Sequence, residues 1–266
     1  MVLMFESLKP SYELSIGEIL SLTFNLYLNN FGIFFIPFLI VSVISALLSL
    51  PMLSYAEEIG KIDFTGPPDV VWNKFWSIFL TLMALAFITA VLSWIISNIA
   101  SGVIIKSASD FIEKGKTSLS NSFNFAVSKL PSLLVASLIV GILTTLGLFA
   151  FIIPGIIISI MFYLVIPAIV IEEKGAFDSL SRSRKLVSNR WLKTFALSLI
   201  VGLIIVVLAV LVSLVLAPLG AYSSLVSTII ISVIEPISPI SSTFYYYSML
   251  AKEKSEKIPP PPPPPF

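Results

Sequence analysis

The feature that most constrains this chain is a recurrence of apolar runs, nearly free of charge, as long as a bilayer is thick. The clearest is the run at about Leu192–Leu216, followed after Pro218 and Gly220 by another at about Ala221–Leu250. A helix needs about 20 predominantly apolar residues to cross the hydrocarbon core. Of the 266 residues, 57% are hydrophobic and 12% charged, with a mean hydropathy of +1.01. A soluble domain carries about a quarter charged residues. The expected class is therefore a polytopic, all-α integral membrane protein with one membrane domain.

Ahead of the Leu192 run lies Gly175–Lys193, GAFDSLSRSRKLVSNRWLK. At helical spacing Phe177, Leu180, Val187 and Trp191 share one face, with Arg182, Lys185, Asn189 and Lys193 on the other. This is the pattern of a helix lying in a membrane interface, its basic side toward phosphates. Two more stretches have the same character. In residues 15–29, Ile16, Ile19, Leu20, Thr23, Phe24 and Tyr27 form the stripe, and Ser15 with Glu18 fits a capping box. In residues 117–130 the stripe is Leu119, Phe123, Ala126, Val127 and Leu130.

Six spans are predicted, at about Phe31–Leu53, Lys74–Ile105, Pro131–Ile152, Ile156–Ile171, Leu192–Leu216 and Ala221–Leu250. The second is long enough to continue as a stalk toward Glu113. The third and fourth, separated at Pro154-Gly155, have a kinked pair that does not fully cross as their alternative reading. Residues 54–73 are expected as the one substantial loop on the far side, with Trp72 and Trp76 near the interface.

A shift of 61 residues places Leu119 on Leu180, Ser122 on Ser183, Lys129 on Arg190, and SLIVG at 137–141 on SLIVG at 198–202. The first unit aligns less well, its stripe at a shift of 103 and its span near 99. The predicted organisation is a threefold repeat of interfacial helix, span, Pro turn and span, over 15–105, 117–172 and 175–250, with Pro51, Pro154 and Pro218 ending the first span of each. Residues 1–14 read as a cytoplasmic lead-in rather than a signal peptide. The membrane domain covers 15–252, and 253–266 is a charged and polyproline tail.

Orientation follows from the basic residues. Lys9, Lys106, Lys114, Lys116, Lys129, Lys174, Arg182, Arg184, Lys185, Arg190, Lys193, Lys252, Lys254 and Lys257 fall in alternate segments on one side; Lys61 and Lys74 are assigned to the other. The positive-inside rule then puts both termini and all three short helices in the cytoplasm, and the location is the cell membrane.

The chain has no Cys and no His, which excludes disulfides, thiolate chemistry, Cys/His zinc sites and any nucleophile–His pair. No Asp/Glu motif suggests a metal. Catalytic residues, cofactors and nucleic-acid partners are not expected. The tail IPPPPPPPF must adopt polyproline II, a rod of roughly 20 Å; it is either a stiff solvated tail or a segment docking a protein partner.

SIGEILSLTFNLYLNNF (15–31), IPGIIISIMFYLVIPAIVIEEKGAFDSLSRSRKLVSNRWLKTF (153–195) and PISPISSTFYYYSMLAKEK (236–254) resemble the integral membrane domain found fused to some glycerophosphodiester phosphodiesterases, with its stand-alone relatives. The resemblance implies a helical membrane architecture and no assigned activity. The phosphodiesterase catalytic domain and its His residues have no counterpart, so no catalytic residue carries over. The polyproline tail and Glu235 are not expected features of that family.

Candidate functional residues fall in two groups. Arg182, Lys185, Arg190 and Lys193 are expected to contact anionic lipid headgroups, each worth ~1 kcal/mol near such a surface; the competing reading is a topology signal. Arg184 stands where the repeat puts Phe123, and is expected in a structural ion pair with Glu172, Glu173 or Asp178. Glu235, in IISVIEPISPIS, is a carboxylate deep in a span, with Pro236 and Pro239 beside it and Asn98 and Ser101 as possible partners. Such a residue suggests a polar or ion site; the alternative is a neutral Glu hydrogen-bonded to Ser232 or Ser238. The leading functional expectation is a non-enzymatic membrane protein engaging lipids or membrane partners through a basic cytoplasmic collar. A small transporter or channel using Glu235 is second, and an enzyme of lipid metabolism third.

Overall fold

The computed structural model describes residues 9–63 and 65–256. The polyproline tail lies outside the described residues. The described chain is helical, with no strand: α1 (Ile16–Asn29), α2 (Phe31–Gly60), α3 (Pro68–Lys114), α4 (Leu119–Ser128), α5 (Leu130–Ala150), α6 (Ile152–Met161), α7 (Val165–Ile171), α8 (Ala176–Ser188), α9 (Trp191–Leu216), α10 (Ser223–Ile231) and α11 (Ile237–Glu256). Five segments are long and apolar enough to cross a membrane: α2, α3, α5, the α6–α7 pair, and α9 with the short turn to Gly220. This makes the chain compatible with a membrane protein. At 1.5 Å per residue α3 is about 70 Å long, more than twice a ~30 Å hydrocarbon core.

Long helices pair as neighbours in sequence: α2 against α3, α5 against α6, α9 against α10. Their turns collect at one end of the bundle. The loop after α2 occupies only 61–67, because α2 runs on to Gly60. The expected loop over 54–73 is therefore largely helical. Pro51 does not end the first long helix, and Pro37 also lies inside it. A proline removes one intrahelical bond, and where little water competes for the freed carbonyl the helix continues.

The α5–α6 turn is a single extended residue, Phe151. It closes because two glycines meet: a Cβ on Gly155 would lie 2.4 Å from Leu148 Cγ, and one on Gly147 would lie 2.9 Å from the Gly155 backbone. Pro154 sits in the first turn of α6, where its missing N–H has no intrahelical use. After α9, the turn Ala217–Tyr222 includes Gly220 at φ 59°, the left-handed region that glycine tolerates.

The predicted sixth span is interrupted. α10 ends at Ile231, residues 232–236 form turns, and α11 begins at Ile237. Pro236 precedes α11 and Pro239 falls in its first turn, so both prolines start a helix rather than loosen one. α11 forms the centre of the packing. Ile240, Phe244, Tyr245, Tyr246 and Tyr247 are all buried, in a core shared with Ile19, Phe34, Ile104, Leu164 and Leu197.

α1, α4 and α8 each end one or two residues before a long helix begins. Their buried faces are not all apolar. α8 buries Ser179, Ser183, Leu186 and Val187 while Phe177 is 74% exposed. Its stripe is therefore split: Val187 faces the bundle and Phe177 faces away. Ser183 accounts for this choice. Its Oγ accepts from Leu164 N–H (3.1 Å) and donates to the Met161 carbonyl (2.9 Å), satisfying the backbone where α6 gives way to α7. Across the 61-residue shift, buried Ser122, Ala126, Leu133 and Ala136 correspond to buried Ser183, Val187, Thr194 and Leu197.

Candidate functional site

The other end of the bundle gathers charges. α3 and α11 finish there, α5 and α9 start there, and the three short helices surround them. The residues before α1 dock through Leu14, whose N–H donates to buried Ser248 Oγ at 2.8 Å. This brings Glu13 against three cations. Its carboxylate accepts from Arg190 Nε (3.0 Å) and Lys193 Nζ (2.7 Å), and pairs with Lys252 (2.9 Å). Arg190 and Lys193 flank the positive end of the α9 dipole, where cations are unfavourable. Glu13 supplies the compensating charge.

A second cluster centres on Arg182 in α8, whose side chain is 15% exposed. Its Nε donates to Glu172 at 2.9 and 3.1 Å, and its second nitrogen donates to Glu253 at 2.7 Å. Burial works against the charge, but the hydrogen bonds to Glu253 and Glu172 outweigh it and raise the guanidinium pKa. Tyr246 is buried against this pair. Lys185 reaches Glu253 only at 3.5 Å and is largely exposed.

Further pairs tie the same end together. Lys129 meets Glu173 at 2.7 Å, Lys9 meets Glu113 at 2.7 Å, and Asp110 takes both Lys106 (3.1 Å) and Lys114 (2.7 Å). Hydroxyls on α11 pin the long helices: Tyr245 bonds Thr194 and Tyr247 bonds Ser109, each at 2.7 Å. At α1 the capping box is complete, and the Tyr12 hydroxyl also donates to Glu18. Hydrogen bonds from Tyr12, Ser15 Oγ and Ser15 N–H bring the Glu18 pKa down to about 2.

The expected site residues therefore separate. Arg182, Arg190 and Lys193 are held by carboxylates of the chain itself, so they do not form the free basic face read from the sequence. Lys185 remains exposed. The ion pair expected of Arg184 falls to Arg182; Arg184 is exposed and has no carboxylate within pairing distance among the described residues. The 61-residue shift explains its position, because Phe123 at the equivalent place is exposed too.

Glu235 lies half-buried in the five-residue break between α10 and α11. Neither Asn98 nor Ser101 is brought to it by a hydrogen bond: Asn98 donates to the Trp94 carbonyl of its own helix at 2.9 Å, and Ser232 donates to Ile229. The Val233 carbonyl freed by the break accepts from the Tyr27 hydroxyl of α1. No group of three or more His, Cys, Asp or Glu side chains suited to a metal occurs among the described residues.

Sequence reasoning missed Glu13, Glu253 and Asp110. Asp110 alone had a local signal, since Lys106 and Lys114 stand four residues to either side. Glu13 and Glu253 find their partners across more than 70 residues of chain, which no local spacing marks.

Residues 123–246 match a family described as a domain of unknown function (DUF7847). No curated protein and no solved structure matches the chain. The family match does not link the chain to the phosphodiesterase-fused membrane domains, and what residues 123–246 are similar to is a domain to which no activity is assigned.

Proposed function

We propose that this is a non-enzymatic, multi-pass membrane protein that engages lipids through its charged, cytoplasmic end. On this reading the α10–α11 pair is a sixth, broken span, α1, α4 and α8 lie in the interface, and the units containing them are three copies of one ancestral hairpin. The shared burial register 61 residues apart supports the repeat. Within the collar, Arg182, Arg190 and Lys193 hold helices together, while Arg184 and Lys185 meet anionic headgroups. The observation that carries this reading is the company those two cations keep. On the outward side of the same segment Phe177 and Leu192 are 74% and 73% exposed, an arrangement of large apolar groups beside exposed cations suited to a lipid interface.

The test is lipid retention. Purified protein, and the double variant Arg184→Gln, Lys185→Gln, would be equilibrated with mixed anionic and zwitterionic lipid and read by native mass spectrometry. At ~1 kcal/mol per cation the double variant should retain anionic lipid about 30-fold less favourably at low salt. Equal retention by both proteins would overturn the collar assignment.

A second reading, transport through Glu235, rests on the half-burial of this carboxylate in a helix break. Glu235→Gln should then keep the fold and abolish proton- or cation-coupled flux in proteoliposomes.

A further inference from the structure

Where α2, α3 and α4 meet, the bundle has an open cavity of about 370 Å³. Its walls include Ile36 and Ile40 of α2, Ile96 and Val103 of α3, and Leu119 and Phe123 of α4. The lining is apolar apart from Ser120. The α3 wall, from Ala100 and Val103 back to Ile96, spans about 10 Å along the helix axis. The cavity opens sideways, since Ile36, Ile40 and Phe123 are all exposed, and it is closed toward the charged end by the first turn of α4.

Size limits the occupant. The α3 wall is only about 10 Å long, so the cavity seats part of one hydrocarbon chain and not a whole lipid. Charge supplies the rest. Lys116 stands three residues before Leu119, exposed, and has no carboxylate partner among the described residues. The neighbouring lysines at the end of α3 and after α4 are paired: Lys106 and Lys114 with Asp110, Lys129 with Glu173. α4 also begins without a side-chain cap. An apolar slot with an unpaired cation three residues from its wall matches an amphiphile with a single anionic head.

We infer that the α2–α3–α4 groove holds one acyl chain of an anionic phospholipid, with its phosphate beside Lys116. This inference rests on the membrane reading above but not on Arg184 or Lys185. It separates a resident lipid from the lipid that merely surrounds the exposed faces of α5 and α9.

The experiment uses the full chain in phosphatidylcholine vesicles doped with phosphatidylglycerol carrying a photoreactive diazirine in one acyl chain. After illumination, adducts are mapped by peptide mass spectrometry. They should concentrate on the groove walls of α2 and α3. Ile40→Trp, which fills the slot from an exposed position, should remove this concentration; Ile36→Trp does the same from a neighbouring turn and guards against one variant failing to insert. Lys116→Gln should leave the groove labelled but lower the preference for phosphatidylglycerol over photoreactive phosphatidylcholine by about five-fold. The Arg184→Gln, Lys185→Gln protein should label the groove as the parent does, so failure of the collar reading and failure of this one are told apart. Adducts spread evenly over α5 and α9, adducts indifferent to both tryptophans, a headgroup preference untouched by Lys116→Gln, or cross-links joining two copies through the groove would each overturn the inference.

Discussion

At the scale of single residues, two arginines of α8 only two positions apart do different work. Arg182 is 15% exposed and bridges Glu172 and Glu253; Arg184 is exposed, with no carboxylate partner among the described residues. Replacing Arg182 with Met leaves two partly buried carboxylates without their shared cation. Breaking a fully buried pair costs about 3–5 kcal/mol. Because Glu172 and Glu253 each keep about a fifth of their side-chain surface exposed, a loss of roughly 2–3 kcal/mol is expected. Arg184→Met should fall within about 0.5 kcal/mol of the parent. Thermal unfolding of both variants in the same detergent checks the contrast, and equal melting temperatures would contradict it. Glu18 offers a test by pH. Its folded pKa of about 2 lies below the ~4.3 of an unfolded Glu. The carboxylate therefore stabilises fully above about pH 4.3, and its contribution fades as pH falls through the folded value near 2. A Glu18→Gln variant should be less stable than the parent at pH 7, with the gap narrowing steadily from about pH 4 downward. A gap that widens in acid would show that the hydrogen bonds from Tyr12 and Ser15 do not set this pKa.

At the scale of elements, serines decide how the short helices sit. Ser183 serves the backbone break between α6 and α7, and Ser122, its counterpart 61 residues earlier, accepts from Ser107 of α3 at 3.0 Å. Ser183→Ala keeps nearly the same volume but strands the Leu164 N–H, which should cost about 1–3 kcal/mol. Unfolding measurements would reveal it, and hydrogen exchange should show faster exchange at Leu164 itself. The existence and order of the long helices were legible in the sequence, since length and hydropathy specify them almost without competition. So were α1, its capping box, and the separation of α8 from α9. The faces of the short helices were less legible. Helical periodicity marks where large apolar residues cluster, but in a chain this apolar a helix can turn those residues outward and bury small polar ones that hydrogen-bond. Prolines were also misread, for a physical reason. Pro131, Pro154, Pro167 and Pro239 all lie in the first turn of a helix, where a missing N–H costs nothing, and Pro37 and Pro51 lie inside α2. Proline here marks where helices begin more than where they end.

At the scale of the whole molecule, the two ends of the bundle differ in kind. One end is three tight turns, with Gly147 against Gly155 and Gly220 at positive φ. The other holds the ion pairs of Glu13, Arg182, Asp110 and Glu173. If a bilayer surrounds such a body, the turns lie on one side and the cation-rich end on the other. If that end is cytoplasmic, as the distribution of Lys and Arg favours, both termini face the same compartment and the number of crossings is even. The α10–α11 pair must then cross as a broken span. In such a crossing part of the broken backbone is satisfied, because the Val233 carbonyl is taken by Tyr27 and the prolines at 236 and 239 have no N–H to satisfy. Tags at the two termini should therefore share one fate in sealed, right-side-out vesicles: protected from added protease until detergent is present. A tag between Asp63 and Gly66, in the α2–α3 turn, should be cut at once. Cleavage at one terminus alone would leave an odd number of crossings and return α10–α11 to a re-entrant element, and cleavage at both termini with the 63–66 tag protected would invert the orientation while keeping the even count.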